Sequence, residues 1–202
     1  MYVKICGLRD PEALAAALDS GADAVGFVVS PGSPRDVDPA VAAELVSRVE
    51  GRADTVLVVS HATAAESVEL ARRIGVDVVQ LHGRYGEADV AAVGAAGLRV
   101  WRAASVTDGT PLEVGAWGEE TLLLDAPVAG SGHRWDASGV ETRGRWMLAG
   151  GLNPGNVAAA IAESRPWGVD VSSGVEASRG VKDPELIRAF VAAAREAARG
   201  VA

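Results

Sequence analysis

A thiol closes the apolar run Val3-Lys4-Ile5-Cys6-Gly7, and a carboxylate closes Leu122-Leu123-Leu124-Asp125. At the same end of two parallel strands, such a pair can face each other as general base and general acid. Each role sets a demand on ionisation. An ordinary Asp (pKa ~3.9) is only about 0.1% protonated at pH 7, so an acid at Asp125 needs its pKa raised by ~3 units. The apolar setting of Leu122, Leu123, Leu124 and Val128 supplies desolvation in that direction. An ordinary thiol is ~3% thiolate at pH 7. Lys4, two residues before Cys6 and on the same strand face, favours the thiolate if Asp170 does not neutralise it.

Two further segments suit an anion. Gly150-Gly151-Leu152-Asn153-Pro154 follows one apolar run, and Ser172-Ser173-Gly174 follows another. Glycines let the backbone approach an anion, a helix N-terminus after them offers N–H donors, and the serines add hydroxyls. Gly150, Gly151, Asn153, Ser172, Ser173 and Gly174 are therefore the candidate phosphate ligands. Two tight turns are the structural alternative, and the pairing of both loops favours the phosphate.

These residues need a scaffold. Strands are predicted near 2–6, 23–28, 54–59, 77–81, 98–103, 121–125, 145–149 and 168–172. Helices are predicted near 11–19, 39–49, 63–74, 87–95, 154–164 and 184–199. Asp38-Pro39, Asn153-Pro154 and Asp183-Pro184 each put a capping side chain before a proline that suits the first helical position. Gly21, Gly75 and Gly97 stand where helices should stop. The helical pattern is weak over 104–120 and 133–143, where short or irregular helices are expected. Strand–helix units recurring about every 25 residues imply a parallel sheet, and eight of them predict a closed (β/α)₈ barrel at the small end of its range. An open doubly wound sheet is the main competitor, but Cys6-Gly7-Leu8-Arg9-Asp10 is not a dinucleotide loop. Nothing divides residues 1–202, which are read as one α/β domain.

Strand parity then sorts the side chains. Lys4 with Cys6, Gln80 with His82, Leu123 with Asp125, and Asp170 with Ser172 share faces whose opposite faces are apolar. Those polar sets should point into the barrel, and the site of such a barrel lies where its strands end. On strand five, Val100 and Arg102 share a face. The alternatives are ordinary ones: an inert buried Cys, an Asp acting as a helix cap, a hydrogen-bonding His82, and a structural Lys4–Asp170 ion pair. The shared end and face favour chemistry.

Composition narrows the partners. The chain has 202 residues, 49% of them hydrophobic, so it can bury a core. Its net charge of −8 argues against a nucleic-acid surface. No apolar run reaches the ~18 residues of a membrane span. One cysteine and an N-terminus that enters a strand directly fit a cytoplasmic protein. Monomer and homodimer both remain open, and no cofactor or metal motif is present.

Several stretches in order resemble phosphoribosylanthranilate isomerases, the barrel enzymes of that step in tryptophan biosynthesis. They are Lys4-Ile5-Cys6-Gly7, Gly26-Phe27 with Ser33-Pro34-Arg35, Gln80-Leu81-His82-Gly83, Leu123-Leu124-Asp125, Gly130-Ser131-Gly132, Ala149-Gly150-Gly151-Leu152, Asp170-Val171-Ser172-Ser173-Gly174-Val175-Glu176 and Gly180-Val181-Lys182-Asp183. The resemblance implies a cofactor-free Amadori rearrangement of a phosphorylated ribosyl-anthranilate. It makes Cys6 the base and Asp125 the acid. It assigns Arg35 to the anthranilate carboxylate and the loops at 150–154 and 172–174 to the phosphate. His82, Asp170 and Lys4 complete the expected substrate contacts. A histidine-pathway or dual-substrate sister would tend to carry an Asp base on strand one and a second pair of Gly-rich loops. Val59-Ser60-His61-Ala62 and His82-Gly83-Arg84-Tyr85 do not provide them. An idle phosphosugar-binding barrel would have lost the acid or the base.

Overall fold

Runs rich in Val, Leu and Ile bury both faces only when covered on each side, and in the computed structural model eight of them close on one another. The structure describes residues 1–106, 109–125 and 142–200. Strands β1 (Tyr2–Cys6), β2 (Ala24–Val28), β3 (Asp54–Val59), β4 (Val78–His82), β5 (Arg99–Ser105), β6 (Thr121–Asp125), β7 (Trp146–Leu148) and β8 (Gly168–Val171) form a closed barrel in chain order. Neighbours are parallel, and β1 pairs with β8 so that Lys4 stands beside Asp170. The predicted eight-stranded barrel is the observed one.

Helices α1 (Pro11–Asp19), α2 (Pro39–Ser47), α3 (Ala64–Ile74), α4 (Glu87–Ala95), α5 (Val157–Ser164) and α6 (Pro184–Arg199) stand on the connections. Asp38 and Asp183 cap α2 and α6 as predicted, each accepting from backbone N–H groups of the first turn. Gly75 closes α3 in the left-handed conformation, φ 83°.

Two expectations need correction, and one element was not foreseen. Asn153 does not cap a helix beginning at Pro154. Its side chain accepts from Gly155 N, closing a turn, and α5 starts only at Val157 after Asn156. The described residues of 104–120 contain no helix. Gly115 and Gly118, at φ 82° and 90°, break the chain into turns there. A hairpin that was not foreseen, β9 (Glu176–Ser178) with β10 (Val181–Lys182), follows a 3₁₀ turn at Ser173–Val175. Residues 133–141 of the second weakly helical stretch lie outside the described residues.

The apolar side chains divide into two cores. The larger lies between barrel and helices and holds Ile5, Phe27, Leu57, Leu81, Leu122, Leu148 and Phe190. The smaller fills the barrel with Cys6, Val56, Val58, Val78, Trp101, Leu123 and Met147. Alternation along each strand produces this division. On β5 it puts Trp101 inside and Arg102 outside. Arg102 is 2% exposed and donates to Glu119 Oε1 from Nε (2.9 Å) and Nη2 (2.7 Å). That buried pair, with Arg102 stacked over Trp117 at 4.5 Å, ties the turns after β5 to the sheet. The tryptophans thus have structural places. Trp167 stacks on Tyr2, and Trp146 joins the outer core, while Trp135 lies outside the described residues. No helix among the described residues is long and apolar enough to cross a membrane.

Candidate active site

The strand ends of β1, β4, β6 and β8 deliver their last inward residues to one cavity of about 650 Å³. Cys6, His82, Asp125, Asp170 and Ser172 all line it, joined by Arg35, Gly150, Gly151 and Ser173. Lys4, Asn153 and Gly174 do not reach its wall.

Cys6 is 6% exposed. Gly26 stands beside it on β2, and a Cβ there would lie 3.1 Å from Cys6 Sγ and 3.2 Å from Lys4 Cε. The missing side chain is what leaves the thiol its space. Lys4 is fully buried and donates to Asp170 Oδ1 at 2.8 Å. Its amine is thereby tied to a carboxylate rather than offered to a substrate. The consequence for Cys6 is the reverse of the hoped-for thiolate. Burial pushes the thiol above its ordinary value, Lys4 pulls it down, Asp170 pushes it up, and Lys182 also pulls it down. Burial prevails.

Asp125 ends β6 with Oδ2 3.7 Å from His82 Nε2. The two side chains can therefore meet the same substrate atom. Val128, counted toward the desolvation of Asp125, lies outside the described residues, as does the loop Gly130-Ser131-Gly132. Gln80, one inward position before His82, also lines the cavity. Its buried Oε1 has no hydrogen-bond partner among the described residues, so it is an acceptor available to a donor in the cavity.

The loops after β7 and β8 are built as one unit. Gly150 and Gly151 take φ 85° and 68°, which a side chain would strain. Asn156 braces that loop, accepting from Asn153 N (2.8 Å) and donating to Gly151 O (2.9 Å). A Cβ on Gly174 would lie 1.8 Å from Leu152 O, so only glycine lets the two loops touch. Gly174 and Asn153 thus shape the phosphate candidate from behind. Ser172 Oγ donates to Cys6 O at 3.1 Å, linking that loop to the thiol's strand.

Arg35 is not idle. Its Nε donates to Glu176 Oε1 (2.6 Å) and its Nη2 to Glu176 Oε2 (3.2 Å). Glu176 also accepts from Gly180 N (3.0 Å) and from Lys182 Nζ (3.0 Å). Lys182 donates further to Ser172 O (2.9 Å) and Ser172 Oγ (3.2 Å). Burial works against the Glu176 carboxylate, but Arg35, the Gly180 N–H and Lys182 together hold its pKa down, at about 2. Burial likewise lowers Lys182, with Glu176 opposing. Sequence reasoning included Glu176 and Lys182 in motifs yet gave them no task. The signal was the spacing Glu176, Gly180, Lys182, which is that of a short hairpin with both charges on one face. Among the described residues no three His, Cys, Asp or Glu side chains are grouped as metal ligands.

A family model described as N-(5'-phosphoribosyl)anthranilate (PRA) isomerase matches residues 3–193. The N-(5'-phosphoribosyl)anthranilate isomerase of Paracoccus denitrificans is 45% identical over 208 residues, covering 95% of this chain and 96% of that protein. The crystal structure of TrpF from Jonesia denitrificans superposes with a TM-score of 0.92 at 53% identity, covering 98% of both chains. A phosphoribosyl anthranilate isomerase solved with reduced 1-(o-carboxyphenylamino)-1-deoxyribulose 5-phosphate superposes with a TM-score of 0.82 at 31% identity. That likeness covers 97% of this chain and 99% of the other.

Proposed function

The chain belongs to the N-(5'-phosphoribosyl)anthranilate isomerase family of tryptophan biosynthesis, and from that premise we propose which of its residues carry the rearrangement. Cys6 is the general base and Asp125 the general acid. The reading rests on one observation: these two strand-end residues line a single cavity together with the glycine and serine loops after β7 and β8.

The phosphate of N-(5'-phosphoribosyl)anthranilate sits against the backbone at Gly150 and Gly151 and against Ser172 and Ser173. From there the substrate spans to Arg35, whose guanidinium takes the anthranilate carboxylate. Asp125 protonates the ribose ring oxygen, and the ring opens to an iminium. Cys6 then removes the C2′ proton, and the resulting enolamine tautomerises to the aminoketose. Every proton lost is returned, so the reaction needs no redox partner. His82 stands close enough to Asp125 to hold the same oxygen, and Asp170 presents its carboxylate to the substrate amine. Lys4 serves by holding Asp170 in place.

The raised thiol has a consequence for rate. At neutral pH the resting enzyme carries mostly the thiol, so turnover draws on a minor thiolate population. Proton removal is then the step that feels pH most.

Asp125→Asn should retain less than about a hundredth of wild-type kcat, the low end of general acid–base contributions being ~10²-fold. Retention of more than a tenth would remove Asp125 from the proton path. Growth of a tryptophan auxotroph lacking this step, complemented by the wild-type gene and not by the Asn variant, tests the assignment in a cytoplasmic setting. The enzyme acts as a monomer or a homodimer, which light scattering distinguishes.

A further inference from the structure

Between the two subsites lies a carboxylate that the isomerisation does not consume. Glu176 is half-enclosed by the hairpin it begins, its side chain only 5% exposed, yet it reaches the cavity. It receives four hydrogen bonds: two from Arg35, one from Gly180 N and one from Lys182 Nζ. Its two cationic partners lead in different directions. Arg35 leads to the proposed carboxylate subsite. Lys182 leads through Ser172 to the phosphate loop and, by the bond from Ser172 Oγ to Cys6 O, to the strand that holds the thiol.

The geometry of the Arg35 contact is informative. A guanidinium has two bidentate edges. Glu176 occupies the Nε–Nη2 edge, which leaves the Nη1–Nη2 edge for a second planar carboxylate. Arg35 is therefore not blocked by its ion pair but aimed by it. A long flexible side chain otherwise loses rotamer freedom on meeting its ligand, and a fixed partner removes that cost beforehand.

We propose that Glu176 is a positioning residue of the isomerase: one carboxylate aims Arg35 at the anthranilate carboxylate and holds Lys182 on Ser172, fixing the distance between the carboxylate and phosphate subsites. Glu176 touches neither the substrate nor the reacting atoms. It works through Arg35 on one side and Lys182 on the other. The hairpin tip supports this arrangement, since a Cβ on Gly180 would lie 2.2 Å from Pro34 O. The segment carrying Arg35 and the hairpin carrying Glu176 are thus packed backbone to backbone.

The inference rests on the reading of Arg35 given above, and a double-mutant cycle separates the two. Binding of the reduced product analogue is measured for wild type, Glu176→Gln, Arg35→Ala and the double variant. The Gln side chain keeps the shape of Glu, and circular dichroism checks that each variant is folded. Glu176→Gln should weaken binding about tenfold, as expected for loss of charge-assisted hydrogen bonds. In the Arg35→Ala background the same change should weaken it only about threefold, because the Lys182 arm alone is left. KM should rise more than kcat falls. If Arg35→Ala weakens binding but Glu176→Gln leaves both binding and KM at wild-type values, or if the two effects are simply additive, the positioning role is overturned. If Arg35→Ala itself leaves binding unchanged, the Arg35 reading fails first and the positioning role fails with it.

Discussion

At the scale of single residues, the thiol is governed by what is missing beside it. Gly26 supplies the space for Cys6 Sγ and Lys4 Cε, each of which would stand within 3.2 Å of an added methyl. Gly26→Ala should fold, because the neighbours need to yield only a few tenths of an ångström. The yield, however, falls on the base. We expect kcat to drop about tenfold with little change in KM, since small misplacements of a reacting group cost orders of magnitude. An unchanged kcat would show that Cys6 is not constrained by β2. The ionisation of the same residue gives a second expectation. Its pKa is raised from an ordinary value of 9.0, chiefly by burial. The active base form therefore grows with pH through neutrality and is still incomplete at pH 9. In Asp125→Asn, which has no acid left to lose, the residual log kcat/KM should climb by about one unit per pH unit between pH 7 and 9, and adding Cys6→Ser should abolish that slope. A plateau reached by pH 7.5 would mean that the base is another group or a free thiolate. Cys6, His82 and Asp125 were legible in the sequence because strand parity and strand ends are local features. The tie between Lys4 and Asp170 was legible only as an alternative, because nothing local says which demand on an amine prevails.

At the scale of elements, the hairpin β9–β10 is the part that sequence patterns concealed. Its strands are three and two residues long, too short for an alternating pattern to register. Its purpose appears only once it folds over the segment bearing Arg35. The turns after β5 were similarly hidden. A helix was expected there, whereas Arg102, on the outward face of β5, holds the segment through Glu119. Asn153-Pro154 reads as a cap by residue type, but the side chain closes its own turn onto Gly155 instead. Two glycines at nearly equal φ test the hairpin's packing. Gly21 (φ 80°) has nothing within 4 Å of an added Cβ, while Gly180 (φ 81°) faces Pro34 O at 2.2 Å. Gly21→Ala should cost only the left-handed strain, about 1–2 kcal/mol, with wild-type KM. Gly180→Ala should cost more and raise KM as well, because it separates the hairpin from the Arg35 segment. Equal effects on KM would disconnect hairpin from site. Acid stability follows from the same element. Glu176 falls from 4.5 unfolded to about 2 folded. A depressed carboxylate stabilises the fold fully above its unfolded pKa and loses that contribution as pH falls through its folded one. Between pH 5 and 2 wild type should lose stability that Glu176→Gln never had, so the two denaturation midpoints should converge toward pH 2. Parallel curves over that range would contradict the assignment.

At the scale of the whole molecule, the barrel is closed where its first and last strands meet. The count of eight units of about 25 residues made that closure legible, since an open sheet would have left β1 and β8 with unpaired edges. What holds the seam inside is a buried charge pair: Lys4, fully buried, lies across from Asp170, 166 residues away in sequence. Such a pair gives weak evidence of net stability, because desolvation offsets much of the attraction, yet breaking it from one side is costly. The seam therefore has an asymmetric response. Lys4→Met leaves the Asp170 carboxyl at the barrel wall without its partner and should destabilise by about 3–5 kcal/mol in urea. Lys4→Met with Asp170→Leu replaces both charges by apolar groups and should recover most of that loss, with an unchanged m-value. Neither variant should turn over substrate well, because Asp170 also lines the cavity and Lys4 lies beside the thiol. Stability and activity would then separate in the double variant: a barrel restored in strength but not in catalysis. If Lys4→Met alone stays within about 1 kcal/mol of wild type, water or another cation must reach Asp170, and the seam would be held by its backbone ladder and apolar layers rather than by charge.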